Sequence, residues 1–174
     1  MHFRRRHKAP TFRFNQYSQI SSNKIAREMT HFFQIEPGVY VSGQIEPSDL
    51  PEIDRLGIRT IVDNRPDEEV GEDLSSDLVG QAAARHGISF LYKPVWGFEL
   101  GDPDIVQSIR QSVSALPRPV LFYCRSGRRS TLLWAQDAIE RLDPETIRAR
   151  ANMAGIEPGD LQMILNEYSD QLVA

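Results

Sequence analysis

The chain has 174 residues, 40% of them hydrophobic and 25% charged, with a formal net charge of −4 at pH 7. This is the length of one domain with a single buried core and the composition of a soluble globular protein. One cysteine forbids an intrachain disulfide, which points to a reducing, cytoplasmic setting. No apolar run is long enough to span a bilayer, and the basic start MHFRRRHKAP lacks the apolar stretch of a secretory leader. The four histidines are scattered and no metal-ligand spacing occurs, so neither metal nor cofactor is expected.

The charge is unevenly laid out. Residues 1–30 carry seven Lys/Arg against Glu28 alone, a balance of +6, whereas the remainder has 13 basic and 23 acidic residues, a balance of −10. No aromatic-interleaved basic stripe follows, so the start reads as a solvated basic extension, and no nucleic-acid partner is expected. The compact domain is expected over residues 31–174.

In chain order, GVYVSG (38–43) reads as a strand between glycines. EPSDLPEIDRLG follows as a short helix with Ser48 as N-cap, apolar spacing at Leu50, Ile53 and Leu56, and Gly57 as stop. RTIVDN (59–64) is a second strand and NRPDEEVGEDLSS (64–76) an acidic loop. SDLVGQAAARHG is a helix despite Gly80 inside it, ended by His86 and Gly87. ISFLYKPV (88–95) is a strand, and WGFELGDPD a loop that closes on Asp102 as N-cap with Pro103 at the first helical position. DIVQSIRQSVSAL is amphipathic, with Ile105, Ile109, Val113 and Leu116 on one stripe. RPVLFYC (118–124) is almost wholly apolar and therefore expected at the centre of a sheet covered on both faces. Helices are expected over SGRRSTLLWAQDAIERL, DPETIRARANMAG and EPGDLQMILNEYSDQL. Alternating strands and helices predict an α/β fold, a small mostly parallel sheet flanked by helices.

The chemistry concentrates in CRSGRRS, residues 124–130. A buried strand ends at Cys124 and a helix starts a few residues later, so the link must curl back, with Gly127 taking the backbone angle that others resist. Successive amide N–H groups then face inward at a helix N-terminus, a ready site for an anion and for a thiolate. Arg125, Ser126, Gly127 and Arg128 are expected to bind the anion, Cys124 to be the nucleophile, and Arg129 and Ser130 to complete the catalytic set. Ser130 could donate to the thiolate or to a leaving sulfur. Arg65, behind the second strand, could rim the pocket or pair with the acidic loop.

The segments GVYVSGQIEPSDLPEIDRLGIRTIVDNRPDEE, GISFLYKPV and VLFYCRSGRRS together resemble the phosphatase-like domain of the beta-lactamase-hydrolase-like proteins, over about residues 32–140. The resemblance implies a dual-specificity-phosphatase-like fold, and some members of that family are sulfurtransferases. Cysteine phosphatases of this fold use Cys-x5-Arg, with glycine three residues after the cysteine. Gly127 is in register, but the arginine comes one residue early, at Arg129, a Cys-x4-Arg spacing similar to the active loop of rhodaneses. Those phosphatases also place an aspartic acid after the preceding strand, where this chain has Gly97, with Glu99, Asp102 and Asp104 beyond it.

The expected function is therefore a cysteine-dependent sulfurtransferase that passes sulfur from thiosulfate or a persulfide to a thiol acceptor or cyanide through a Cys124 persulfide. The alternatives are a phosphatase acting on a phosphate ester through a cysteinyl phosphate, and a non-catalytic anion-binding module.

Overall fold

The computed structural model describes residues 32–172; the expected basic extension, residues 1–30, lies outside the described residues. The described residues open on a strand not expected from the sequence, β1 (Phe32–Glu36), paired antiparallel with β2 (Val39–Ser42) in the register Phe33↔Val41. The turn between them is Pro37–Gly38, with Gly38 at φ 77°. Three parallel strands complete the sheet: β3 (Thr60–Asp63), β4 (Ser89–Tyr92) and β5 (Val120–Tyr123), in the order β1-β2-β5-β3-β4. Val39 and Thr60 both register with Val120, so β5 is hydrogen-bonded on both sides. That is the central position expected from its apolar sequence.

The period of two in β5 divides the core. Leu121 and Tyr123 point into a cluster with Ile45, Leu50, Ile53, Ile61, Val79 and Ala83, which belongs to the face covered by α1 (Leu50–Arg55) and α2 (Ser76–Arg85). Val120 and Phe122 point the other way, toward α3 (Pro103–Ser114), α4 (Arg128–Ala138), α5 (Pro144–Met153) and α6 (Pro158–Leu172). Each fully buried Leu or Ile here contributes about 1.5–3 kcal/mol. Gly80, anomalous in a helix by propensity, has a packing reason: a Cβ there would lie 3.0 Å from the Phe90 ring.

Helix ends follow local chemistry, with three departures from expectation. Asp102 caps α3, its carboxylate accepting the Asp104 N–H at 2.9 Å. Ser48 does not cap α1; it sits inside a 3-10 turn, Pro47–Asp49, where the Glu46 N–H donates to Asp49 at 2.8 Å. In α3, Val106 joins Ile109 and Val113 in the core, while Ile105 and Leu116 are only partly buried against it. The cysteine helix is shorter than expected at both ends, beginning at Arg128 and ending at Ala138. Among the described residues no helix is long and apolar enough to cross a membrane.

Candidate active site

Cys124 follows β5 directly and is 1% exposed. Its position is fixed by a strand locked between two neighbours. The loop behind it is drawn back onto the end of β2: the Gln44 N–H donates to the Arg125 carbonyl at 3.2 Å. Gly127 occupies the left-handed region, φ 85°, and a Cβ there would stand 3.2 Å from the Ser42 carbonyl carbon and oxygen. Both the angle and the close approach require glycine. From Gly127 the chain enters α4, whose first turn adds the Thr131 hydroxyl, donating to the Gly127 carbonyl at 2.9 Å.

Asn64, immediately after β3, is fully buried and joins the strand ends to this loop. Its N–H donates to the Tyr123 carbonyl at 2.9 Å and its Nδ2 to the Lys93 carbonyl at 3.0 Å. Its Oδ1 accepts the Ser130 hydroxyl at 3.1 Å, and its carbonyl accepts Arg129 NH1 at 2.9 Å. Ser130 is thus turned toward Asn64, which corrects the expectation that its hydroxyl faces the cysteine sulfur.

Arg129 completes a second junction. Its NH2 meets Glu69 Oε1 at 2.7 Å, and Glu69 Oε2 lies 3.7 Å from Arg65 Nε. Arg65 also donates to the Glu69 carbonyl and, at 2.7 Å, to Gln44 Oε1. The side chains of Arg65 and Arg129 are only 11% and 14% exposed, so one carboxylate holds two largely buried cations. Arg65 therefore pairs with the acidic loop, the second of the two alternatives open from the sequence, and shares Glu69 with Arg129. Glu69 was missed in the sequence because it is 60 residues from Arg129 and meets it only because β3 lies beside β5. Two of the five guanidinium donors of Arg129 are used, which leaves three for an anion.

The remaining expected anion ligands separate. Arg125 and Ser126 lie exposed at the tip of the loop. Arg128 points away from it, pairing with Asp160 of α6 at 2.8 Å, so its expected place in the cradle is corrected. Of the three acids considered after β4, two are held by backbone N–H groups. Glu99 accepts the Trp96 N–H at 2.7 Å, Asp102 caps α3, and Asp104 stands in the first turn of that helix.

A further acid escaped the sequence reading. Asp63 is 2% exposed, and burial pushes its carboxyl up to about 6, opposed by Tyr123 and by the Arg65 N–H that it accepts at 2.8 Å. The Tyr123 hydroxyl lies near this carboxylate without a well-aligned hydrogen bond, and burial raises its pKa well above the usual phenol value. Asp63 registers with Tyr123, so it lies under the two-helix face while directly preceding the Asn64 junction.

Comparison with known proteins gives this geometry its context. A family model described as "Beta-lactamase hydrolase-like protein, phosphatase-like domain" matches residues 31–140. A beta-lactamase hydrolase-like protein of Xylella fastidiosa is 28% identical over 121 residues, 68% of this chain and 28% of that protein. The chain therefore spans little more than a quarter of that relative's length. A candidate phosphatase of Neisseria meningitidis superposes with a TM-score of 0.68 at 31% identity, covering 76% of this chain and 95% of that one. TpbA of P. aeruginosa, whose structure holds phosphotyrosine, superposes with a TM-score of 0.52 at 18% identity, covering 80% and 83%. The sheet and helices have the expected dual-specificity-phosphatase-like fold.

These matches correct the expected chemistry. The reading as a rhodanese-type sulfurtransferase, with thiosulfate or a persulfide as donor and a thiol as acceptor, rested on the early arginine; the family and the solved relatives are phosphatase-like instead. In the folded chain the spacing carries less weight than it does on paper. One residue turns a helix position by about 100°, and the long Arg129 side chain, in the first turn of α4, still reaches the junction behind β3.

Proposed function

Since the chain belongs to the phosphatase-like domain family of the beta-lactamase hydrolase-like proteins, we propose that it is a cysteine-dependent phosphatase. Its substrates are phosphate monoesters, aryl esters foremost. The Cys124 thiolate attacks phosphorus in line with the leaving oxygen: an S–P bond forms, the P–O bond breaks, and the aryl oxide leaves and takes its proton from solvent. Water then attacks phosphorus, the S–P bond breaks, and inorganic phosphate departs as the thiolate returns. The backbone N–H groups of the loop and the N-terminus of α4 hold the phosphoryl oxygens. Arg129 supplies its remaining donors while Glu69 fixes the guanidinium plane. A reducing, cytoplasmic setting keeps the nucleophile a free thiol.

The observation that carries this reading is the Arg129–Glu69 pair beside the end of β5. In this reading it orients a cation at the start of the helix that follows the cysteine loop. The preference for aryl esters follows from the acids after β4. With Glu99 and Asp102 engaged by backbone N–H groups, neither stands ready to protonate an alkoxide, whereas a phenolate, whose acid has a pKa of ~10, leaves unaided far more readily. Phosphotyrosine, which TpbA holds on the same fold, is such an ester.

The test is turnover of p-nitrophenyl phosphate and of a phosphotyrosine peptide. We expect rates of about 1 per second or faster, loss of all turnover in Cys124→Ser, and a phosphoenzyme trapped on rapid acid quench. Phosphate binding without turnover in the folded protein would make the domain an anion-binding module instead.

A further inference from the structure

A cavity of about 620 Å³ opens between α3 and α4, over the face of β2 and β5, and of the segment 124–130 it is lined by Ser130 alone. Its apolar wall is formed by Val39, Phe122, Val106, Ile109, Val113 and Leu133. The lining residues Ser130, Leu133, Trp134 and Asp137 fall on one face of α4, and Arg141, just past its end, lines the cavity too. The volume is that of a small-molecule site rather than a packing fault, and so is the makeup, an apolar body with few polar groups. Well-packed interiors do not leave such a space without cost, because the lining forfeits its contacts.

Two polar features of the wall lack partners. Trp134 is 6% exposed and lines the cavity, and its indole Nε1–H is buried without an acceptor among the described residues. At the mouth stand three arginines. Arg110 is paired with Asp137 at 2.6 Å and Glu140 at 2.8 Å, and Arg141 with Glu36 at 2.6 Å and Asp137 at 3.1 Å. Arg118, exposed beside Gly38, has no carboxylate partner among the described residues. Arg150 also meets Glu36, at 3.6 Å, so three arginines balance the three carboxylates Glu36, Asp137 and Glu140, and among the described residues the rim is left with one available cation and the interior with one available donor.

We propose that this cavity binds an amphiphile with an aliphatic body and a single carboxylate, the chain lying against the valines and Phe122 and the head group at Arg118. A neutral alcohol of the same length would gain the apolar contacts but not the head-group pair. A dianion would meet Asp137 and Glu140 across the mouth. The inference is independent of the phosphatase reading, because it concerns binding alone.

Octanoate and 1-octanol serve as probes, with calorimetry on the full chain and tryptophan emission in Trp96→Phe, where Trp134 is the remaining one of the two tryptophans. We expect saturable one-to-one octanoate binding with a Kd below ~1 mM, accompanied by a change in Trp134 emission. Arg118→Ala, at an exposed position, should weaken octanoate about tenfold and leave octanol unchanged. Absence of saturable octanoate binding, a silent Trp134, or equal octanoate affinity in Arg118→Ala would each overturn the proposal.

Discussion

The loops that follow β3 and β4 leave the same edge of the sheet, since the two strands are parallel neighbours. Both carry acids, and they use them differently. Behind β3, Glu69 turns inward and holds Arg65 and Arg129, neither more than 14% exposed. Behind β4, Glu99 turns back on the Trp96 N–H of its own turn, leaving Phe98 85% exposed at the tip. That loop is moored at its far end, where the Gly101 N–H donates to the buried Gln136 of α4 at 2.9 Å. One loop turns its carboxylate to a cation from elsewhere in the chain, and the other keeps its charges to itself. The lesson is that acid content at a sheet edge says little until each carboxylate's partner is known.

The contrast is broken most directly at Arg129. Arg129→Ala should lower kcat/KM for an aryl phosphate by about 10²–10³-fold, the usual loss for one donor to a developing oxyanion. Arg129→Lys should recover little, because an ammonium cannot span Glu69, the Asn64 carbonyl and an anion in one plane. Steady-state kinetics with a circular-dichroism control decides it, and a loss below tenfold would remove Arg129 from the site.

The second prediction concerns stability at the head of the same loop. Burial lifts the Asp63 carboxyl from 3.8 to about 6. A group with a raised folded-state pKa binds more protons when folded, so its contribution is present in full below the unfolded value and is lost as pH rises from 3.8 through about 6. Asp63→Asn keeps an acceptor for the Arg65 N–H and removes the buried charge. It should raise stability by up to about 3 kcal/mol at pH 7.5 and bring no gain at pH 4. Urea unfolding at the two pH values reads this out, and an equal effect at both would show that the carboxyl does not titrate in that window.

Glu69→Gln sharpens the comparison from the carboxylate side. It leaves Arg65 and Arg129 without their shared anion, and we expect about a tenfold loss in kcat/KM, ~1.4 kcal/mol, borne mainly by kcat. A purely structural role would lower the melting temperature while leaving the kinetic constants of the remaining folded protein unchanged.

The smallest effects belong behind β4. Glu99→Gln and Asp104→Asn should change aryl phosphate turnover less than about threefold. Asp102→Ala should cost about 1 kcal/mol of stability through the lost cap, with little change in rate. A loss near 10²-fold at one of these positions, the lower edge of general-acid catalysis, would mean that its carboxylate leaves its present partner to protonate the ester oxygen.

What could be read in the sequence is what is local. Cys124, Gly127 and the helix behind them are contiguous, so their geometry follows from a strand, a turn and a helix start. The parallel strands were visible in their apolar runs. β1 was missed although Pro37–Gly38 signals a turn and Phe32 and Phe33 favour a strand; a five-residue edge strand beside a polar start offers too short a pattern. Glu69 and Asp63 were missed for another reason. The first acquires its role across 60 residues of sequence, and the second is made unusual only by the burial that sheet and helices impose. The spacing of the arginine was over-read, because a count along the chain does not say where a long side chain ends.

The central place of β5 has a kinetic consequence. A strand hydrogen-bonded to β2 on one side and β3 on the other can expose its amides only after a neighbour has gone, whereas β1 and β4 are the outer strands of the sheet among the described residues. In amide hydrogen exchange, Val120 to Tyr123 should therefore be the last of the sheet to exchange, close to the rate of global opening, with β1 and β4 going first. Breathing at the margins then leaves Cys124 where it is. The proposed nucleophile thus rides on the part of the molecule that opens least often.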